Sequence, residues 1–292
     1  MKIFAKTLLF VFWITIFSCQ KDEQTEPISL LDNNPSEFYN ELKDESYGSD
    51  PLQKFDLFLP KKRSTKVTRV LVLLHGGGWK EGDKGVLSNM VNILKAKKYN
   101  WAIVNANYRL TSQKNIGLQQ QMDDIALLLN KLKIKQVDYG ISDRILLAGF
   151  SAGGHLALSF AYKFDVNRQV KAVCGIVAPT DLGDAFFQKI GLGNDIAKLL
   201  GKNLDESPET YRNGSPAFQV QQNSPPTILF YGGKDDVVPS IQGDILQKKL
   251  QGLGVPFEYN FYPEQNHDFT VLPEATEKMM KFGEKYVPLL VF

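Results

Sequence analysis

The stretch that most restricts the fold of this chain runs from Arg144 to Ala161. An apolar run, Ile145-Leu146-Leu147-Ala148, enters Gly149-Phe150-Ser151-Ala152-Gly153 and passes directly into a helical pattern through Leu156, Ala157, Leu158 and Phe160. Strand, sharp turn and helix around G-x-S-x-G form the context of a nucleophile elbow. Such a turn needs Ser151 at positive φ, with its hydroxyl standing clear of the sheet. Strand and helix crowd the flanking positions, and Gly149 and Gly153 supply residues without a Cβ there. Alone, the pentapeptide reads more simply as a Gly/Ser turn between two core elements. The remainder of the chain decides.

Alternating strand and helix patterns surround it. Lys54–Pro60 alternates and ends at a proline, an early strand. Val67–Leu74 is a near-continuous apolar run of the kind covered on both faces by helices. Helical spacing follows at Leu87, Met90, Val91, Ile93 and Leu94, then a strand at Trp101–Ala106 and an amphipathic helix at Leu118–Leu132. Beyond the elbow come strands at Val170–Val177, Thr227–Tyr231 and Phe257–Tyr262. Helices are expected at Ile241–Leu250 and at about Glu274–Tyr286, with Pro273 near its first turn. Residues 181–222 break the alternation with a helical patch at Ile196–Leu200 and polar loops, the natural place for a small cap over a pocket. The pattern predicts an α/β protein: a doubly wound, mostly parallel sheet in one domain from about residue 36 to 292, with a small cap insertion. Ligands of such sheets sit at the carboxyl ends of the strands.

Composition narrows the function classes. Formal net charge is +2, and no basic stripe interleaved with aromatics occurs, so nucleic acid is not an expected partner. Three histidines and two cysteines form no metal-like cluster, and no metal is expected. Lys2 and Lys6 precede an 11-residue apolar run, Thr7–Phe17, which suits a signal-peptide core and falls short of the roughly 20 residues that span a bilayer. Ile16-Phe17-Ser18-Cys19 resembles a bacterial lipobox. Residues 1–18 then read as a lipoprotein signal peptide, Cys19 as the acylated residue and 19–35 as a flexible tether. Gln20-Lys21-Asp22-Glu23 resembles the short acidic signals of outer-surface lipoproteins. The expectation is an exported protein, held at a membrane by its N-terminal lipid anchor only. The other thiol, Cys174, lies in a strand and reads as a small core residue.

A serine nucleophile needs a base, an orienting acid and an oxyanion hole. His75 sits in a glycine-rich turn. His155 lies four residues past Ser151 on the elbow helix and should run alongside that helix in a packing or capping role. His267, in Pro263-Glu264-Gln265-Asn266-His267-Asp268-Phe269 between the last strand and the last helix, is the expected base. The acid should follow a strand between Ser151 and His267. Asp235 and Asp236 compete in Gly232-Gly233-Lys234-Asp235-Asp236, with Asp235 favoured and Asp181 and Glu264 outside candidates. The order Ser, Asp, His is that of the α/β-hydrolases. Ala152 N–H, at the start of a helix, is one expected oxyanion donor, with Gly77 and Gly78 as the others and Gly76 less favoured. Trp79 is expected to anchor that loop by packing.

His75-Gly76-Gly77-Gly78-Trp79-Lys80-Glu81-Gly82-Asp83-Lys84 and Gly149–Ala157 resemble the bacterial esterases related to hormone-sensitive lipase. The nearest group is that of bifunctional feruloyl and acetyl xylan esterases. Asn107-Tyr108-Arg109-Leu110, Asp143-Arg144-Ile145, Gly232–Pro239 and Tyr47-Gly48-Ser49-Asp50-Pro51 fit the same pattern, so the likeness covers about residues 47–292. Tyr231 departs from it, standing where many relatives carry His. The resemblance implies an α/β-hydrolase fold and a carboxylic ester hydrolase without cofactor, acting on short-acyl or cinnamoyl esters of carbohydrates. Two alternatives are an arylformamidase-like amide hydrolase, whose relatives share a similar loop, and a surface glycan-binding protein on an inactive hydrolase scaffold. Acyl group, alcohol and oligomeric state are not encoded legibly.

Overall fold

A computed structural model describes residues 38–269 and 272–289. The expected signal peptide, Cys19 and the tether lie outside the described residues. Eight strands form one sheet: β1 (Tyr39–Ser46), β2 (Lys54–Pro60), β3 (Arg69–Leu74), β4 (Trp101–Ala106), β5 (Ile145–Phe150), β6 (Val170–Ile176), β7 (Thr227–Gly232) and β8 (Phe257–Tyr262). Their order is β1-β2-β4-β3-β5-β6-β7-β8. The β1–β2 and β2–β4 pairs are antiparallel and the other five are parallel. Apart from a four-residue helical turn at Gln136–Tyr139, the α-helices in chain order are α1 (Ser88–Ala96), α2 (Leu118–Ile134), α3 (Ala152–Ser159), α4 (Ala185–Lys189), α5 (Gly193–Leu200), α6 (Pro208–Gly214), α7 (Pro216–Gln219), α8 (Ile241–Leu253) and α9 (Leu272–Tyr286). The doubly wound α/β-hydrolase arrangement is the one expected.

Period-two alternation sends successive strand residues to opposite faces. Val70, Val72 and Leu74 of β3 pack into one core with Ile125, Leu128 and Leu132 of α2 and Leu246 and Leu250 of α8. Leu71 and Leu73 of the same strand pack into the other, with Met90, Val91 and Leu94 of α1 and Met279, Met280 and Phe282 of α9. The near-continuous apolar runs follow from this, because both faces of the central strands are covered. Cys174 of β6 is a free, fully buried thiol in the second core.

Strand β1 carries no such signature. Its sequence, Tyr-Asn-Glu-Leu-Lys-Asp-Glu-Ser, is largely exposed, and it pairs by its backbone on the outer edge of β2. The 181–222 segment folds into α4 to α7, four short helices of which the expected Ile196–Leu200 patch is part of α5. Asp184 caps α4 by accepting from Phe186 N–H at 2.9 Å, and Gly201 ends α5 in the left-handed region at φ 73°.

Candidate active site

At the end of β5, Ser151 takes φ 53° and ψ −120°, a conformation that a non-glycine residue holds only under external constraint. Its N–H donates to Ile176 O at 2.8 Å, tying the turn to β6. The flanking glycines are dictated by space. A Cβ on Gly149 would stand 2.1 Å from Gly153 O, and one on Gly153 would stand 2.3 Å from both Leu74 O and His75 O. Any side chain there drives α3 off the sheet.

Parallel pairing aligns the other parts. In β7 and β8, Gly232 pairs with Tyr262, so the loops that follow these strands lie side by side. The His267 Nδ1–H group donates to Asp235 Oδ2 at 2.9 Å, and Ser151 Oγ–H donates to His267 Nε2 at 3.0 Å. Asp235 Oδ1 accepts from Val237 N–H at 2.9 Å and Val238 N–H at 2.7 Å, which fixes a fully buried carboxylate with one oxygen left for the imidazole. Asp236 is exposed, Glu264 pairs with Lys234 at the surface, and Asp181 accepts from Gly183 N–H at 3.0 Å. None of the three reaches His267. Tyr231 is buried and donates to Ala178 O at 2.6 Å, outside the Ser–His–Asp chain.

Leu74 pairs with Gly149, so the chain leaving β3 runs beside the elbow. Three successive residues there have positive φ: Gly77 at 115°, Gly78 at 55° and Trp79 at 63°. This turn exposes the Gly77 and Gly78 segment to the same cleft as Ser151 and Ala152. For Trp79 the conformation costs about 1–2 kcal/mol, and the surroundings supply it. The Trp79 carbonyl accepts from Thr111 N–H and from Gln121 Nε2–H, each at 2.9 Å. Its indole N–H donates to His155 Nδ1 at 3.1 Å. Further along, Asp83 accepts from Asn107 Nδ2–H at 2.7 Å, Asn107 accepts from Lys84 N–H at 2.5 Å, and Tyr108 OH donates to His75 O at 2.8 Å. Arg109 grips the buried Asp124 through Nε and Nη2 at 2.6–3.0 Å, and Gln53 donates to the same carboxylate at 2.7 Å.

His75 is not a base for Ser151. Its Nδ1–H donates to Gly76 O at 2.6 Å and its ring stacks on Tyr108, centroids 4.4 Å apart. Burial holds its pKa below the ordinary value. Of the packing or capping role expected for His155, the structure shows packing, but its hydrogen bonds leave its own helix. It is fully buried, and its Nε2–H donates to Gly214 O at 2.8 Å, in the insertion. Burial pushes its pKa down to about 4, so the imidazole is neutral near pH 7. Sequence reasoning missed this bridge, along with Gln121 and Asp124, because all three act across tertiary contacts that spacing does not reveal. The polar positions on the buried side of α2 were the available signal.

The cleft above Ser151 holds about 530 Å³. Phe150, Pro179, Val237 and Val238 give it apolar wall. The insertion adds Leu192 and Asp195, and Asp195 accepts from Lys80 Nζ at 2.8 Å, joining α5 to the turn after β3. Among the described residues there is no grouping of His, Cys, Asp and Glu that could hold a metal ion, and no helix is long and apolar enough to cross a membrane.

Comparisons with known proteins agree with this arrangement. Esterase LipC of Mycobacterium tuberculosis is 27% identical over 245 residues, covering 78% of this chain and 60% of LipC. This chain therefore spans about three fifths of that relative's length. A truncated carbohydrate esterase from gut microbiota superposes with a TM-score of 0.71 at 20% identity, covering 84% of this chain and 96% of the other. Esterase B of Lactobacillus Rhamnosis gives 0.69 at 23% identity, with 87% of each chain covered. The BD-FAE family model matches residues 55–250, from β2 into α8 and across the Gly77–Gly78 turn, the elbow and Asp235. The chain belongs to the BD-FAE family.

Proposed function

We propose that this chain is a serine carboxylic ester hydrolase that works through an acyl-enzyme. The observation that carries the proposal is the unbroken chain from Ser151 Oγ through His267 to Asp235, at 3.0 and 2.9 Å. His267 Nε2 takes the Ser151 proton as Oγ attacks the ester carbonyl. Asp235 holds the imidazole in the Nδ1–H tautomer and stabilises the cation that forms. Backbone N–H groups of Gly77, Gly78 and Ala152 receive the developing oxyanion, Ala152 with the help of the α3 dipole. The protonated His267 then gives its proton to the leaving alcohol. In the second half, His267 activates water, which cleaves the acyl–Ser151 bond and releases the acid. Every proton and charge is handled by these side chains and the backbone, so the chemistry asks for no cofactor.

Short-acyl or cinnamoyl esters of carbohydrates are the substrates this reading favours. BD-FAE membership and the likeness to a carbohydrate esterase support it, as does a cleft that sets apolar wall beside the Lys80–Asp195 pair. A panel of p-nitrophenyl esters of rising acyl length, with acetylated xylan, methyl ferulate and an N-formyl aniline, tests the reading. Turnover of the acetyl and feruloyl esters is expected. Preferential cleavage of the formyl anilide would replace the ester reading with an amide one. Glycan binding with no turnover of any activated ester would support an inactive scaffold. We also propose that Cys19 is acylated and that the enzyme is exported and tethered. Cys19→Ala should move the protein from the membrane to the soluble fraction, and an unchanged partition would refute the anchor.

A further inference from the structure

We infer that His155 is a positioning residue for the oxyanion hole, holding the Gly77–Gly78 turn in place through its hydrogen bond to the Trp79 indole. The inference rests on the esterase reading above and goes beyond it, since His155 touches neither substrate nor Ser151 Oγ.

Of the hydrogen bonds that hold this turn, the Trp79–His155 bond ties it to the helix that carries Ala152. α3 begins at Ala152, one proposed donor, and carries His155 one turn later. The second pair of donors lies on a different segment, the turn after β3. For the hole to work, two segments must present N–H groups to one point, and a displacement of about 1 Å costs on the order of 100-fold in rate. Gly77, Gly78 and Trp79 all have positive φ, so the turn has no intrinsic preference for this shape and must be held from outside. Trp79 is the residue that can be held, because it alone of the three has a side chain. Its ring is 2% exposed, packs edge-on to His155 with centroids 5.3 Å apart at 87°, and directs Nε1–H at Nδ1. The turn is thereby referenced to the same helix that carries Ala152.

The second ring nitrogen selects the tautomer. Gly214 O can only accept, so Nε2 carries the proton and Nδ1 is free to accept from Trp79. Gly214 ends α6, so the insertion fixes the imidazole that fixes the turn. Of the three histidines in the sequence, His75 and His267 donate through Nδ1 to oxygen acceptors, while His155 is the Nε2–H form.

Two substitutions separate the two bonds. The Asn amide oxygen stands where Nδ1 stood, so His155→Asn keeps an acceptor for Trp79. The Gln amide nitrogen stands where Nε2 stood, so His155→Gln keeps the donor for Gly214 and loses the acceptor. With a p-nitrophenyl ester, His155→Gln and Trp79→Phe should each lower kcat by roughly 10- to 100-fold with KM within about twofold. His155→Asn should stay within about threefold of the parent, and the Gln/Phe double variant should be no slower than the slower single. Equal losses in the Asn and Gln variants, parental kcat in Trp79→Phe, or multiplicative losses in the double would each overturn the inference. The parent protein supplies a readout independent of activity and of variant folding. Its 15N histidine spectrum at pH 7 should show an Nε2–H imidazole that assigns to His155. Absence of an Nε2–H form refutes the positioning role. No turnover by the parent, with the tautomers as expected, would instead refute the esterase reading.

Discussion

The carboxyl ends of β3, β5 and β7 and the 181–222 insertion are built differently. At the strand ends, backbone packs closely on backbone around Gly149, Gly153 and Gly77. Ser151 and Trp79 sit at positive φ, and a Cβ on Gly149, Gly153 or Gly77 would fall within 2.1–2.3 Å of a carbonyl. The insertion is assembled from four short helices, and Gly191 and Gly201 have open space where a Cβ would go. It meets the catalytic end through few polar links, among them Lys80–Asp195 and His155–Gly214. The contrast teaches that Gly149, Gly153 and Gly77 hold their places because backbone leaves no room for a Cβ, whereas Gly191 and Gly201 of the insertion serve only the local chain direction.

Substitutions should expose this difference, most sharply at the reacting residues. Asp235→Asn removes the carboxylate that sets the His267 tautomer and should lower kcat by roughly 10⁴-fold with little change in melting temperature; a loss under tenfold in steady-state kinetics would contradict its role. Gly153→Ala should cost at least about 3 kcal/mol in urea unfolding, because the added methyl group meets two backbone carbonyls that cannot yield. Gly201→Ala, at φ 73° in open space, should cost only about 1 kcal/mol. Equal costs at the two glycines would erase the distinction drawn between the regions.

Acid sharpens the comparison where the regions meet. Folding lowers the His155 pKa from 6.5 to about 4 through burial, so the unfolded chain binds the extra proton between those values. Above pH 6.5 the imidazole is neutral in both states and there is no penalty; as pH falls from 6.5 through about 4 only the unfolded chain gains the proton, and the fold is destabilised by up to roughly 3 kcal/mol. The unfolding free energy of the parent should drop toward that of His155→Asn over this window, and a constant gap between them would contradict it. The smallest effect belongs to Asp195→Asn. Its pair with Lys80 is partly exposed, so stability should change by less than about 1 kcal/mol while KM shifts a few-fold and the difference fades in high salt.

Much of this was legible in the chain before its fold. Apolar runs marked β3 to β7 because burial on both faces demands them, and the elbow, Asp235 and His267 followed from strand ends and chain order. β1 was not legible: it joins the sheet by backbone pairing, and its polar side chains leave no periodic trace. His155 was legible as a packing or capping residue of its helix but not as a bridge, since neither Trp79 nor Gly214 lies near it in sequence. The insertion announced itself by interrupting the alternation and by the Ile196–Leu200 patch, while α4, α6 and α7 were too short to be read from spacing.

The central claim is that Ser151 is the nucleophile, activated by His267. Intact-mass spectrometry after treatment with a fluorophosphonate tests it most directly. The parent protein should gain one phosphonyl adduct, mapped by peptide fragmentation to Ser151, and lose esterase activity in proportion. Ser151→Ala should gain none and hydrolyse no ester above background. An adduct on the Ser151→Ala protein, or full activity in a parent already labelled at Ser151, would contradict the account.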